Sequence, residues 1–373
     1  MRDLQAHLRI GGDIYGVFSV DWLTLYCLSG LFYMADGWDF RKRPVASRQF
    51  SQVYDVFRSD TNEHYFTIER APYSSIIHHS ALMLKISNRL LYQSGWQNEV
   101  VDFTFQCRID IVSVSRVDMC VDFQHFNKKM GPDTLIRRFL SGVYLKNGRG
   151  KYTLQGEQKF RHKITYLRFG GHDAVVCVYL YNKSLEMKEV KEKHHIRTLW
   201  ALCGLNNGRD VWRLEVSVHP SRIRWFDKAY GEISKLTFGT FFYYSELRTM
   251  YRALIDQYFC FKVNDGTRNK TRMKNVELFM ANSCLSRFID YSSVKDSSRS
   301  DVVFVYRLLN YADLYLDKSD ELPSYVCRAL EDVLTSRALI GKAVRKAAML
   351  GLEFDYSYVG DMLVINRVIK KNK

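Results

Sequence analysis

The sequence predicts an α+β fold: a central, mainly antiparallel sheet with helices on one face, followed by a mostly helical C-terminal part. Three observations predict it. Short runs of period-two alternation, bounded by turn residues, recur between Ser19 and Val218. Two of these runs flank Gly170-Gly171-His172-Asp173, a good hairpin signal. Beyond Pro220 the texture shifts toward helix formers, which puts a soft boundary between Pro220 and Thr240. The expected domains are 1–235 and 236–373.

Taken in order, Ser19 to Tyr26 alternates as a first strand, and Gly37 to Ser51 reads as a basic loop with Arg41, Lys42, Arg43 and Arg48. His64 to Ile68 and Ala81 to Ile86 are further strands, and Val100 to Ile111 is a strand or the end of a helix leading into one. Ser113 to Phe123 is a strand, and Pro132-Asp133-Thr134 starts a helix with Leu135, Ile136, Phe139 and Leu140 on one face. Ile164 to Phe169 and Val175 to Tyr181 form the hairpin, Glu186 to Leu202 is helical, and Val211 to Val218 returns to strand. Thr240 to Phe259 reads helical, Ser292 to Ser300 is a linker, and the chain from Asp301 to its end reads helical.

The 373 residues include 47% hydrophobic and 14% aromatic side chains and only 5 prolines, which excludes an extended disordered chain. Lys and Arg number 55 against 40 Asp and Glu, a net charge of +15 that favours polyanionic partners, nucleic acid first. The 8 cysteines form no C-x-x-C pair, which argues against a zinc site and a disulfide framework and points to a cytoplasmic protein. No apolar run reaches the ~18 residues of a membrane span.

Three strands carry acidic or phenolic groups where a plain core strand would carry none. Residues two apart in a strand share a face. Asp118, Cys120 and Asp122 therefore point one way, as do Arg213, Glu215, Ser217 and His219, and as do Tyr179, Tyr181 and Lys183. Two carboxylates on one apolar strand repel unless a cation lies between them. If the strands share a sheet, Asp118, Asp122 and Glu215 make an oxygen set suited to Mg²⁺ or Mn²⁺. An exposed edge strand, or a salt bridge to Arg116, reads equally well on spacing alone. A tyrosine hydroxyl is a poor nucleophile unless a cation lies close, and Lys183 stands two residues from Tyr181.

The ordered set Arg116-Val-Asp-Met-Cys-Val-Asp-Phe123, Thr165-Tyr-Leu-Arg-Phe-Gly170, Tyr179-Leu-Tyr-Asn-Lys183 with Glu186, and Trp212-Arg-Leu-Glu-Val216 resembles one family. It is the rolling-circle replication initiators of small staphylococcal-type plasmids, to which relaxases of integrative conjugative elements are related. Asp21-Trp22-Leu23-Thr24 fits the opening strand of that family, and the resemblance spans roughly Ser19 to His219. It implies a nuclease domain whose tyrosine, here Tyr181, nicks one strand of an origin. The tyrosine keeps the 5′ phosphate and leaves a 3′-hydroxyl primer, and the ends are later rejoined. Tyr179 shares the same face as an alternative nucleophile. The resemblance places the metal on Asp118, Asp122 and Glu215. It departs from the family where Lys85 stands for an acidic residue and where Ser184-Leu185 supply little charge after Tyr-Asn-Lys.

Expected partners are origin DNA, single-stranded and duplex, with a host helicase implied by the resemblance and a homodimer left open. Candidate DNA contacts are Arg116, Arg213, Arg41, Lys42 and Arg43, the 146–151 loop, and Arg268, Lys270, Arg272 and Lys274. Origin recognition is expected in the C-terminal part, with Lys342 to Lys346 on a helix entering a major groove. A DNA-binding protein without catalysis, and a metal nuclease that activates water, are the alternatives.

Overall fold

The computed structural model describes residues 7–278 except 11–13, 128, 149–150, 158–162, 172–173, 190–192, 203–204, 206–207, 226 and 228. Beyond these it describes 337–370 except 360–361, and scattered residues between 305 and 334. His172, Asp173 and the linker Ser292 to Ser300 lie outside the described residues.

Among the described residues up to Leu278 there are thirteen strands: β1 (His7–Ile10), β2 (Ile14–Leu28), β3 (Trp38–Lys42), β4 (Phe50–Arg58), β5 (His64–Pro72), β6 (Ala81–Ile86), β7 (Asp110–Phe123), β8 (Tyr144–Lys146), β9 (Tyr152–Glu157), β10 (Lys163–Phe169), β11 (Val176–Asn182), β12 (Trp212–Val218) and β13 (Phe261–Val263). Eleven of them make one sheet in the order β3-β4-β5-β6-β2-β7-β12-β11-β10-β9, with β1 beside β2, while β8 and β13 form a separate ribbon. The pairings along the sheet from β3 to β9 are antiparallel. The basic loop expected over Gly37 to Ser51 is instead partly strand: Trp38–Lys42 is the outermost strand, paired with β4.

One face of the sheet is the core. Phe18, Val121, Leu167, Val178, Leu180, Leu214 and Val216 are fully buried there, each contributing roughly 1.5–3 kcal/mol. The helices that cover it are α2 (Trp96–Gln106), α3 (Pro132–Leu140) and α7 (Tyr244–Tyr258), the last preceded by the short turn of helix α6 (Tyr230–Ile233). On α7, Leu247, Met250, Tyr251, Leu254 and Ile255 are buried at helical spacing. Tyr251 donates its hydroxyl to the Leu214 carbonyl at 2.8 Å and packs its ring edge-on to Phe18. On α3, Phe139 packs on Phe169 of β10. The α+β architecture, with helices on one face of an antiparallel sheet, is therefore as the sequence predicts.

The chain divides into two compact units. The sheet unit comprises 8–186 and 210–288, so α7 and β13 belong with the sheet and 235/236 is no boundary within it. The second unit comprises 1–7, 187–209 and 289–373. Its described elements include α5 (His194–Leu202), α8 (Arg337–Met349), β14 (Leu352–Val359) and β15 (Met362–Lys370). The helix expected around Lys342 to Lys346 is α8, but the final stretch is an antiparallel hairpin. Its period-two pattern (Leu352, Phe354, Tyr356) suits a ribbon with one apolar face better than a helix. Among the described residues no helix is long and apolar enough to cross a membrane.

Candidate active site

The three motif strands are neighbours, in the order β7-β12-β11. Register aligns their polar residues into rows on the face opposite the helices. Asp122 lies across from Arg213, which lies across from Tyr181; Cys120 faces Glu215, which faces Tyr179; Asp118 faces Ser217. The sequence-predicted set is thus brought together by non-local pairing.

At the centre Arg213 is completely buried and grips Asp122, also completely buried, through two hydrogen bonds of 2.6 and 2.7 Å. The same guanidinium reaches Asp21 at 2.5 Å and the Tyr92 hydroxyl at 3.0 Å. Tyr92 donates to Asp21 at 2.8 Å, and Ser19 Oγ lies 3.1 Å from both the Tyr92 hydroxyl and Cys120 Sγ. Arg213 is therefore no phosphate contact: its charge is committed to two carboxylates out of water. Arg116, half-buried, closes both oxygens of Asp118 at 3.0 and 2.6 Å and stacks its guanidinium on Trp22.

Asp21 and Tyr92 are the members that sequence reading missed. β2 slips register between Val20 and Trp22, which inserts Asp21 as an extra residue beside Asp118. A signal exists: the apolar residues that join the core switch from even positions (Phe18, Val20) to odd ones (Leu23, Leu25, Cys27), as a one-residue bulge requires. Tyr92 is the C-terminal cap of α1 (Asn88–Leu91), a single turn whose start is marked only by Ser87, which accepts the Leu90 amide. Lys85 on β6 is paired with Glu69 of β5.

Tyr181 donates its hydroxyl to Glu215 Oε2 at 2.9 Å. Burial, and then the charge of Glu215, hold the phenol well above its ordinary range, while Arg213 opposes them. The Glu215 carboxyl is itself pushed up to about 7 by burial and by the charges of Asp118 and Asp21. Asp118 is raised by burial, partly offset by Arg116. Lys183 is not on the strand: β11 ends at Asn182, and Lys183 opens α4 (Lys183–Glu189). It is buried, and its Nζ sits 2.7 Å from Glu186 and 5.4 Å from the centre of the Tyr181 ring. Asn182 makes the strand-to-helix junction, donating to Asp210 at 2.8 Å and accepting the Leu185 amide at 3.0 Å. Gly170 makes the turn that leads back into β11. Its φ of +102° is one that side chains rarely adopt, and a Cβ there would meet the Val176 carbonyl at 3.0 Å.

The chemistry of a hard-cation site is only partly met. Among the described residues no three His, Cys, Asp or Glu side chains gather closely enough to hold a metal ion as they stand. Asp122 does not fit the ligand role, because it and the Arg213 that holds both its oxygens have no exposure, whereas the Arg116 that pairs with Asp118 is partly open to solvent. Asp118 and Glu215 do fit in kind: they are oxygen donors whose mutual repulsion, with that of Asp21, a cation would relieve.

The other predicted contacts lie away from these rows. Arg41 and Arg43 are exposed but pair with Asp39 and Asp55, and Lys42 is exposed beside them. Lys146 is buried on β8, while Lys151 is exposed and Arg149 lies outside the described residues. Arg268, Lys270, Arg272 and Lys274 are all exposed on one loop.

No protein-family profile matches the chain, and no curated protein does. Among solved structures it is similar to a rolling circle replication initiator protein from Geobacillus stearothermophilus, at 13% identity and a TM-score of 0.42, over 71% of this chain and 94% of that one.

Proposed function

We propose that the protein is a rolling-circle replication initiator, a DNA relaxase that nicks one strand of an origin through Tyr181. The observation that carries this reading is the Tyr181–Glu215 hydrogen bond, set on a row with a buried arginine–carboxylate pair and bordered by a buried lysine. The order of the four motifs supports it independently.

In this reading the Tyr181 oxygen attacks the scissile phosphorus and the 3′ oxygen of the preceding nucleotide leaves. A 5′-phosphotyrosine link and a free 3′-OH result, and attack by a 3′-OH reverses the step. Glu215 orients the phenol and is the nearest acceptor for its proton. An acceptor that titrates near neutrality suits that task. The positive charge of Lys183 near the ring favours the phenolate. A divalent cation, Mg²⁺ or Mn²⁺, would rest on Asp118 and Glu215 and supply charge neutralisation at the phosphoryl oxygens. Asp122 and Arg213 hold the rows in register.

The test is incubation of the purified protein with supercoiled DNA bearing its origin, with Mg²⁺ or Mn²⁺ and again with EDTA. The expected product is nicked DNA with protein on the 5′ end, at least about 10³-fold reduced in Tyr181→Phe. Nicking without an adduct would point to water activation, and binding alone to a non-catalytic DNA-binding protein. Tyr181→Phe nicking at the wild-type rate would remove Tyr181 as the nucleophile.

A further inference from the structure

Tyr166 and Arg168 of β10 and Tyr179 of β11 share the site face and take no part in the reaction above. Tyr166 lies across from Tyr181, and Arg168 across from Tyr179. The Tyr166 ring is 6.2 Å from that of Tyr179 and 6.3 Å from that of Tyr181, centre to centre. All three rings are half-buried, whereas Leu167, Val178 and Leu180 between them are fully buried on the core face. The β9 strand beside them presents exposed Thr153 and Gln155 on the same rows. Arg168 is half-buried; its side chain hydrogen-bonds Tyr166, while its Nε, out of water, has no hydrogen-bond acceptor among the described residues. A cation with an unmet donor beside a row of aromatic rings asks for a ligand with both an anionic oxygen and a flat face.

We propose that this face seats single-stranded DNA next to Tyr181, with Tyr166 and Tyr179 stacking on bases beside the scissile phosphate and Arg168 taking an oxygen of a backbone phosphate. An unpaired strand offers its base faces to such a row of partly open rings, whereas a duplex keeps those faces stacked on each other. Tyr179 is then a stacking residue rather than a second nucleophile. The inference rests on the proposed reaction only for which phosphate is held there.

Binding is therefore measured in the Tyr181→Phe protein, where no adduct can form through that hydroxyl. The probe is a fluorescein-labelled thymidine oligonucleotide of about 12 nucleotides, read by fluorescence anisotropy across a salt series. Added Tyr166→Ala or Tyr179→Ala should each weaken binding about tenfold, and Tyr166→Phe should stay within about twofold, because the ring is kept. Arg168→Ala should lower the slope of log affinity against log salt by about 0.7. A hairpin duplex of the same length should bind all variants alike. Two results would overturn the proposal: alanine variants that bind like their parent, or a Phe variant that loses as much as the Ala variant. Unfolding midpoints of each variant separate weakened stacking from a damaged fold. Failure of the nicking assignment shows elsewhere, as an adduct that survives Tyr181→Phe.

Discussion

Two groups of cations in the sheet unit have opposite surroundings. Arg213 is sealed among Asp122, Asp21 and Tyr92 with no exposure. Arg268, Lys270, Arg272 and Lys274 stand exposed on a loop whose turns are built by Asn264, Asp265 and Asn269. That loop is anchored from beneath by buried Met273, whose carbonyl accepts from Lys262. The net charge is thus not one quantity. A guanidinium between carboxylates fixes strand register, and only cations that face water are available to a polyanion.

The largest effect that can break this distinction is on stability. Arg213→Ala leaves Asp122 and Asp21 buried without their cation and should cost about 3–5 kcal/mol by denaturant unfolding. Asp122→Asn with Arg213→Met should recover part of that loss, as expected when desolvation rather than packing dominates. An Arg213→Ala protein as stable as wild type would put the arginine in the exposed group after all.

Sequence alone does not sort these arginines. Period-two alternation marks which residues of β7, β11 and β12 share a face, and it does so correctly for Asp118, Asp122, Glu215, Tyr179 and Tyr181. It does not say which strands pair, so the Arg213–Asp122 partnership, made across 91 positions of sequence, stays hidden. Spacing puts Lys183 on the strand, although Asn182 is a residue type that caps helix starts. The Asn182 side chain, accepting from the Leu185 amide and donating to Asp210, turns the strand into the helix at that point. The C-terminal hairpin is masked by the helix formers just before it, in α8.

The second prediction concerns the exposed group. Replacing Arg268, Lys270, Arg272 and Lys274 together by alanine should leave the unfolding midpoint within experimental scatter. It should flatten the salt dependence of duplex DNA binding by up to about 0.9 for each phosphate that is no longer neutralised. An unchanged slope would assign the loop to solvation.

A third, smaller effect sits between the two groups. The Glu215 carboxyl, raised to about 7, binds its proton more tightly in the folded chain than in the unfolded one. Its contribution to stability is therefore present below the ordinary carboxylate range and is lost as pH rises through 7. Glu215→Gln should stabilise the protein at pH 8 by about 1–3 kcal/mol and change little near pH 4. The smallest effect is expected at the exposed pair: Arg43→Ala should cost less than about 1 kcal/mol, and less still in high salt.

Tyr181 is mounted in a strand that is hydrogen-bonded on both sides, to β10 and to β12. Such a residue has only its side-chain torsions to move with. Whatever becomes joined to its oxygen is tethered within a few ångströms of the sheet, like a workpiece in a fixed vice. In the reaction proposed above, exchange of one DNA end for another is then a movement of the DNA, with the protein as the stationary partner.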